Sequence, residues 1–154
     1  MIHVLFGTET GNAELVAEDI ADCLQQADLP AKASDMAHFA VADMDASHTY
    51  VLVCSTYGDG ELPHSAQPFY AQLEQQQPDL SGLKFAVFGL GDSYYATYNQ
   101  GSKILEQHLS GLNATVLGSR GEHDASSGSI PTDAALAWTE TTLLPALVAV
   151  VQVQ

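Results

Sequence analysis

Residues 49–55 read Thr-Tyr-Val-Leu-Val-Cys-Ser, with apolar side chains at every position from 50 to 54. A strand without alternation has both faces covered, which is the condition of a central strand in a parallel sheet. Parallel neighbours cannot be joined by a hairpin, so such a strand commits the chain to crossover connections, usually helices. The rest of the sequence supplies them. Residues 2–6 and 84–89 are further short apolar runs bounded by glycine, residues 114–118 read as a strand, and residues 31–35 as a weaker one. Between them, residues 13–27 carry Val16, Ile20, Cys23, Leu24 and Ala27 on one helical face, ended by Pro30. Pro68 opens a second helix with Phe69, Tyr70 and Leu73 as its apolar side. Residues 101–110 form a third, with Ile104, Leu105, Leu109 and Leu112 inward. Residues 131–150 form the last, with Trp138, Leu144, Leu147, Val148 and Val151 as its inner face and a kink at Pro145. Residues 36–47 are irregular and acidic, with room for one helical turn, and residues 119–129 read as a long Gly/Ser/Asp loop. Strand and helix thus alternate five times. The expectation is an α/β fold with a five-stranded parallel sheet, helices on both faces and right-handed crossovers. At 154 residues the chain fits a single domain spanning 1–154.

Charge narrows the function. The net charge is -15, and Lys32, Lys84, Lys103 and Arg120 are the only lysines and arginines. Nucleic-acid binding needs basic patches and anionic membranes attract them, so neither partner is expected. A strongly acidic chain attracts basic proteins instead. Cys23 and Cys54 belong to no Cys-x-x-Cys pair and are expected as buried free thiols. The six histidines show no zinc spacing. Residues 2–6 enter a strand directly, without a charged leader or a long apolar run, and the expectation is a cytoplasmic protein.

Three loops that follow strands hold the chemistry. The first, Gly7-Thr8-Glu9-Thr10-Gly11-Asn12-Ala13, joins a strand to a helix start and offers hydroxyls, an amide and unpaired backbone N–H groups, with no Lys or Arg. It lacks the Gly-Lys-Ser/Thr of a Walker loop and the third glycine of the dinucleotide fingerprint. Alone, it reads equally as a phosphate cradle or as an ordinary helix cap. The second loop, Ser55-Thr56-Tyr57-Gly58-Asp59-Gly60-Glu61-Leu62-Pro63, and the third, running from Gly89-Leu90-Gly91-Asp92 through Tyr94-Tyr95 to Asn99, each bring an aromatic ring to the same edge. Two such rings suit a planar heterocycle between them.

Taken together, Thr-x-Thr-Gly-Asn-Ala, Thr-Tyr-Gly-Asp-Gly-Glu and Gly-Leu-Gly-Asp-Ser-x-Tyr resemble the FMN-binding signature of the flavodoxins. The variant is similar to the flavin domains of diflavin reductases and to the small MioC-like members. The stretch Ile130-Pro131-Thr132-Asp133 before Trp138 is similar to the latter too. The resemblance covers the whole chain. It implies a flavodoxin-like three-layer sandwich with strand order 2-1-3-4-5. No long insertion interrupts the fifth strand, so the chain resembles the short-chain branch.

The resemblance also implies roles. Thr8, Glu9, Thr10, Gly11, Asn12 and Ala13 would hold the FMN phosphate. Thr56, Tyr57, Gly58, Asp59 and Gly60 would stack one ring on the flavin and face its N5 edge. Leu90, Gly91, Asp92, Tyr95 and Asn99 would bring the second ring and polar contacts. In the family a peptide of the second loop turns when N5 is protonated, and Gly58 permits both signs of φ. The 119–129 loop matches the family poorly, and neither it nor His123 receives a role. Glu9, Asp59, Glu61, Asp92, Glu122 and Asp124 fall in loops at this edge. Their charge disfavours an anionic reduced flavin and would dock a basic partner.

The function implied is noncovalent FMN binding and single-electron transfer by a monomer. It would shuttle between a basic reductase of the ferredoxin/flavodoxin NADP reductase type and an acceptor enzyme. The alternative is a flavin-dependent quinone or NAD(P)H oxidoreductase of the same fold. A phosphoryl-receiver module is disfavoured, because Gly7-Thr8 and Ser55-Thr56 stand where its acids would be. His64 and Ser65 lack a third member for a nucleophilic triad.

Overall fold

The computed structural model describes residues 1–8, 11–56, 62–91 and 99–153, the last five through their backbone. The apolar runs form β1 (Ile2–Gly7), β3 (Thr49–Ser55) and β4 (Lys84–Gly91), and the weaker run forms β2 (Ala31–Asp35). The crossovers are α1 (Asn12–Gln26), α2 (Gln67–Gln76) and α3 (Gln100–Gly111). All strand pairs are parallel: Val4 stands opposite Ala33 and Val51, and Val51 opposite Ala86. The order along the sheet is 2-1-3-4-5, as expected.

Each strand divides its side chains between two cores. Val4, Phe6, Val51, Val53, Phe88 and Leu90 pack with Val16, Ile20, Leu24 and Trp138. Leu5, Leu52, Cys54, Phe85 and Val87 pack with Phe69, Leu73, Leu105 and Leu109. This two-sided burial is the physical content of the unalternating pattern, since successive side chains leave a strand on opposite faces. Residues 36–47 contain two short 3₁₀ turns, Met36–His38 and Val41–Asp43, where one helical turn was expected.

The fifth strand differs from the sequence expectation. It is split into β5 (Thr115–Val116) and β6 (Gly121–Asp124), both parallel to β4, with Phe85 opposite Val116 and Leu90 opposite His123. Half of the expected 119–129 loop is therefore strand or break. The interruption turns through Gly118 at φ 64, and the Trp138 indole N–H donates to the Ser119 carbonyl at 3.0 Å, holding the break against the last helix.

That helix also differs. It consists of α4 (Pro131–Trp138), a π-type segment Thr139–Leu143 and α5 (Leu144–Val153). Pro145 has no N–H and its ring crowds the preceding turn. The chain widens by one residue just before it, with the Leu144 N–H bonded to the Thr139 carbonyl. The inner face is shifted in consequence. Trp138, Leu143 and Leu147 are buried, whereas Val148 is 48% exposed, and Leu144 is half-buried. The side chain of Val151 lies outside the described residues. In α1 the buried face ends at Leu24, with Cys23 half-buried and Ala27 exposed beyond the helix end. Both cysteines are free.

Candidate functional site

The three loops leave the carboxyl ends of β1, β3 and β4, which are neighbours in the sheet, so their beginnings meet at one edge. Ligands of open α/β sheets bind outside that edge, where the strand order reverses.

The first loop begins with Thr8. Its hydroxyl accepts the Gly11 N–H at 2.7 Å. Gly11 turns with φ 97 and is the N-cap of α1, where no side chain of the described residues caps the helix. Among the described residues a Cβ at Gly11 would meet nothing within 4 Å, and the helix start carries a partial positive charge. Asn12 is exposed and Ala13 buried. Glu9 and Thr10 lie outside the described residues.

A residue without a sequence-based role braces this loop. The Thr8 N–H donates to the Ser65 hydroxyl at 2.7 Å, and the Ser65 N–H returns to the Thr8 carbonyl at 3.4 Å. Ser65 belongs to the 3₁₀ turn His64–Ala66, which follows the second loop. The two segments approach so closely that a Cβ on Gly7 would lie 2.8 Å from the Ala66 Cβ.

The second loop starts at Thr56, whose N–H donates to the Leu90 carbonyl at 3.1 Å. Its hydroxyl accepts the Gly101 N–H at 3.0 Å. The start of α3 therefore lies against the end of β3, and a Cβ on Gly101 would sit 2.8 Å from the Ser55 carbonyl oxygen. Tyr57, Gly58, Asp59, Gly60 and Glu61 lie outside the described residues.

At the third loop, Leu90 is buried and Gly91 ends β4. Asp92 and Tyr95 lie outside the described residues, as do Tyr94 and Tyr98. Asn99 closes the loop. It is the N-cap of α3 with left-handed φ 56 and ψ 22, it is 0% exposed, and both ends of its side-chain amide lack a hydrogen-bond partner among the described residues. A buried amide left unpaired is costly; its Oδ1 lies over Gly89 near the end of β4, beside the Ser102 hydroxyl and Arg120 Nη2. A helix start without a side-chain cap among the described residues after β1 and a buried amide without a described partner after β4 fit a phosphate-bearing heterocycle such as FMN.

The basic residue Arg120 is the other contributor that local pattern does not reveal. Its guanidinium is paired with Glu106 at 2.8 Å and Glu122 at 2.7 Å. Two of the six acids expected at this edge are described, and both are engaged. Glu122 holds Arg120, and Asp124 caps the Ala125–Ser127 turn through the Ser126 N–H. The Cys54 thiol lies nearby in the core, pushed up to about 12 by burial, with Arg120 pulling the other way. Such a thiol is inert. An open cleft of about 250 Å³ lined by Asp19, Asp22, Cys23, Gln26, Leu136 and Glu140 lies between α1 and the last helix. Burial and Glu140 raise the Cys23 thiol there. Among the described residues no group of His, Cys, Asp and Glu is arranged to hold a metal ion, and no helix is long and apolar enough to cross a membrane.

Comparison with known proteins agrees with this architecture. The sequence model of the family described as Flavodoxin matches residues 4–138. MioC of Escherichia coli K12 is 32% identical over 138 residues, covering 89% of this chain and 92% of MioC. The NADPH-dependent diflavin oxidoreductase 1 of Schizosaccharomyces pombe is 35% identical over 80% of this chain, which spans 22% of that reductase. The mitochondrial pyruvate dehydrogenase [NADP(+)] of Euglena gracilis is 33% identical over 73% of this chain, which spans 6% of that enzyme. Among solved structures, a cysteine-to-serine mutant of flavodoxin from Pseudomonas aeruginosa superposes with a TM-score of 0.81 at 30% identity, covering 90% of this chain and 93% of that one.

Proposed function

This chain belongs to the flavodoxin family, and from that premise we propose that it binds FMN noncovalently and carries single electrons between a reductase and an acceptor enzyme. The observation that supports this most is the pairing of two unsatisfied elements at one sheet edge. These are the start of α1 at Gly11, without a side-chain cap among the described residues, and the buried amide of Asn99, without a partner among them.

In this reading the flavin supplies the redox chemistry, accepting and releasing electrons one at a time. The protein holds and tunes it. The α1 start, Gly11 and the hydroxyls and amide of Thr8, Thr10 and Asn12 meet the phosphate with dipoles rather than cations. Thr8 is kept in place by Ser65. Thr56, Tyr57, Gly58, Asp59 and Gly60, with Leu90, Gly91, Asp92, Tyr95 and Asn99, would line the ring, Tyr57 and Tyr95 offering flat faces. Gly58 would leave its peptide free to turn toward the flavin ring. Acid side chains around the edge oppose added negative charge and make the reduced protein a strong donor. They also attract a basic reductase of the ferredoxin/flavodoxin NADP reductase type. In this proposal the chain works as a single-domain cytoplasmic monomer.

The test is to strip the purified protein, add back FMN and follow quenching of flavin fluorescence, with the released cofactor identified by mass. One FMN retained per chain is expected. A protein that takes up no flavin would refute the proposal.

A further inference from the structure

Arg120 is one of four basic residues in a chain of net charge -15, and its side chain is 17% exposed. Its guanidinium uses three nitrogens on two elements, β6 and α3 with its N-cap. Nε pairs with Glu122 on β6 at 2.7 Å. Nη1 pairs with Glu106 on α3 at 2.8 Å. Nη2 donates to the Asn99 carbonyl at 3.5 Å and to the Ser102 hydroxyl, both at the start of α3. The same nitrogen lies 3.0 Å from where a Cβ on Gly89 would stand.

This placement is expensive. A cation at a helix start is opposed by the helix dipole, and partly burying three charges costs desolvation that their attraction only roughly offsets. Stability is a weak reason for such a cluster. What it fixes is geometry. Asn99 is a non-glycine residue in the left-handed region, and its amide is buried without a partner among the described residues. A residue with both costs keeps its conformation only where its surroundings dictate it. Arg120 grips the backbone carbonyl of Asn99 and the hydroxyl three residues later.

We propose that Arg120 is a positioning residue for the ring-binding part of the site: it holds the Asn99 turn at the exit of the third loop and keeps the Asn99 amide poised for a bound flavin ring. This rests on the flavin reading above. No hydrogen bond or ion pair among the described residues joins the phosphate cradle, built from β1, α1 and Ser65, to the Arg120 cluster.

That separation supplies the test. Apoprotein and the variants Arg120→Met and Arg120→Lys are titrated with three probes: FMN, riboflavin and inorganic phosphate. Arg120→Met is expected to weaken FMN and riboflavin by the same factor, roughly tenfold, the loss expected when one charge-assisted hydrogen bond no longer supports the site. Phosphate affinity is expected to stay within about twofold, since no lost contact reaches the cradle. Arg120→Lys keeps the charge and the fold but cannot fork to four partners, and is expected to recover less than half of the lost ring affinity on a logarithmic scale. Unchanged riboflavin affinity in Arg120→Met overturns the proposal. So does a parallel loss of phosphate affinity, which would mark general loosening, and so does full rescue by lysine, which would mark charge alone. Wild-type protein that binds neither flavin overturns the flavin reading itself, and this inference with it.

Discussion

Helix α3 carries two glycines in opposite situations. A Cβ on Gly101, in its first turn, would lie 2.8 Å from the Ser55 carbonyl oxygen, 3.2 Å from the Thr56 Oγ1 and 3.3 Å from the Thr56 Cα. Two of these three are backbone atoms, so no side-chain rotation relieves the clash. A Cβ on Gly111, at the other end, would meet nothing within 4 Å among the described residues. Alanine gains up to about 1 kcal/mol over glycine in a helix, and overpacking a close contact costs about 1–3 kcal/mol. Gly101→Ala should therefore lose about 1–2 kcal/mol net, whereas Gly111→Ala should gain up to about 1 kcal/mol. For a chain of this size that is a fall of roughly 2–8 °C in Tm for the first and a small rise for the second. The assay is urea and thermal unfolding of the two apoproteins side by side. Because α3 would be pushed from Thr56, which opens the second loop, Gly101→Ala should also bind FMN more weakly. Equal stability of the two variants would show that α3 does not approach β3 as described, and the placement of Asn99 would fall with it.

Replacing Ser65 with Ala leaves the Thr8 N–H without its partner and should cost about 1 kcal/mol; urea midpoints of the apoprotein and FMN titration should both fall, and an unchanged FMN affinity would remove Ser65 from the site's support. Tyr95→Ala should weaken FMN binding by about 1–2 kcal/mol through lost stacking, and unaltered affinity in equilibrium titration would take Tyr95 out of the site. The His3 imidazole, stacked on Tyr50 and edge-on to His48, is held below its usual value by burial, then by His48, the amino terminus and Lys32. A depressed histidine contributes stability above its unfolded pKa of about 6.5 that is lost as pH falls below it. The Tm of wild-type apoprotein should thus drop more between pH 7.5 and 5.5 than that of His3→Gln, and parallel profiles would contradict this assignment. Electron delivery to a basic partner should slow as salt rises; a flat rate against ionic strength would leave the acidic edge without a docking role.

The central strands and the two-sided sheet are legible because burial on both faces leaves an unmistakable apolar run at residues 50–54. β6 is not. Gly-Glu-His-Asp lies at a sheet edge and pairs only with β4, so half of it faces outward. Its tightest inward position is Gly121, where a Cβ would collide with the Phe88 and Trp138 rings; a glycine leaves no hydrophobic signal. The inner face of the last helix departs from the sequence pattern beyond Trp138 for a related reason. Pro145 announces a disturbance, but the π segment inserts a residue and changes the spacing. Trp138, Leu143 and Leu147 are buried at intervals of five and four, where a regular helix gives Leu144 and Val148. Within the site, the loops are legible as loops because Thr, Gly and Asn after a strand have few other uses. Ser65 and Arg120 are not, since their partners lie across the fold: Thr8 is 57 positions from Ser65, and Asn99 is 21 from Arg120.

The central claim is that this edge holds a flavin and passes electrons singly. Stepwise anaerobic reduction of the FMN-loaded protein, followed by visible absorption with electrons counted per chain, tests it most directly. The account predicts two separate one-electron steps, with a long-wavelength band that rises in the first and vanishes in the second. A single two-electron step without that band would contradict it.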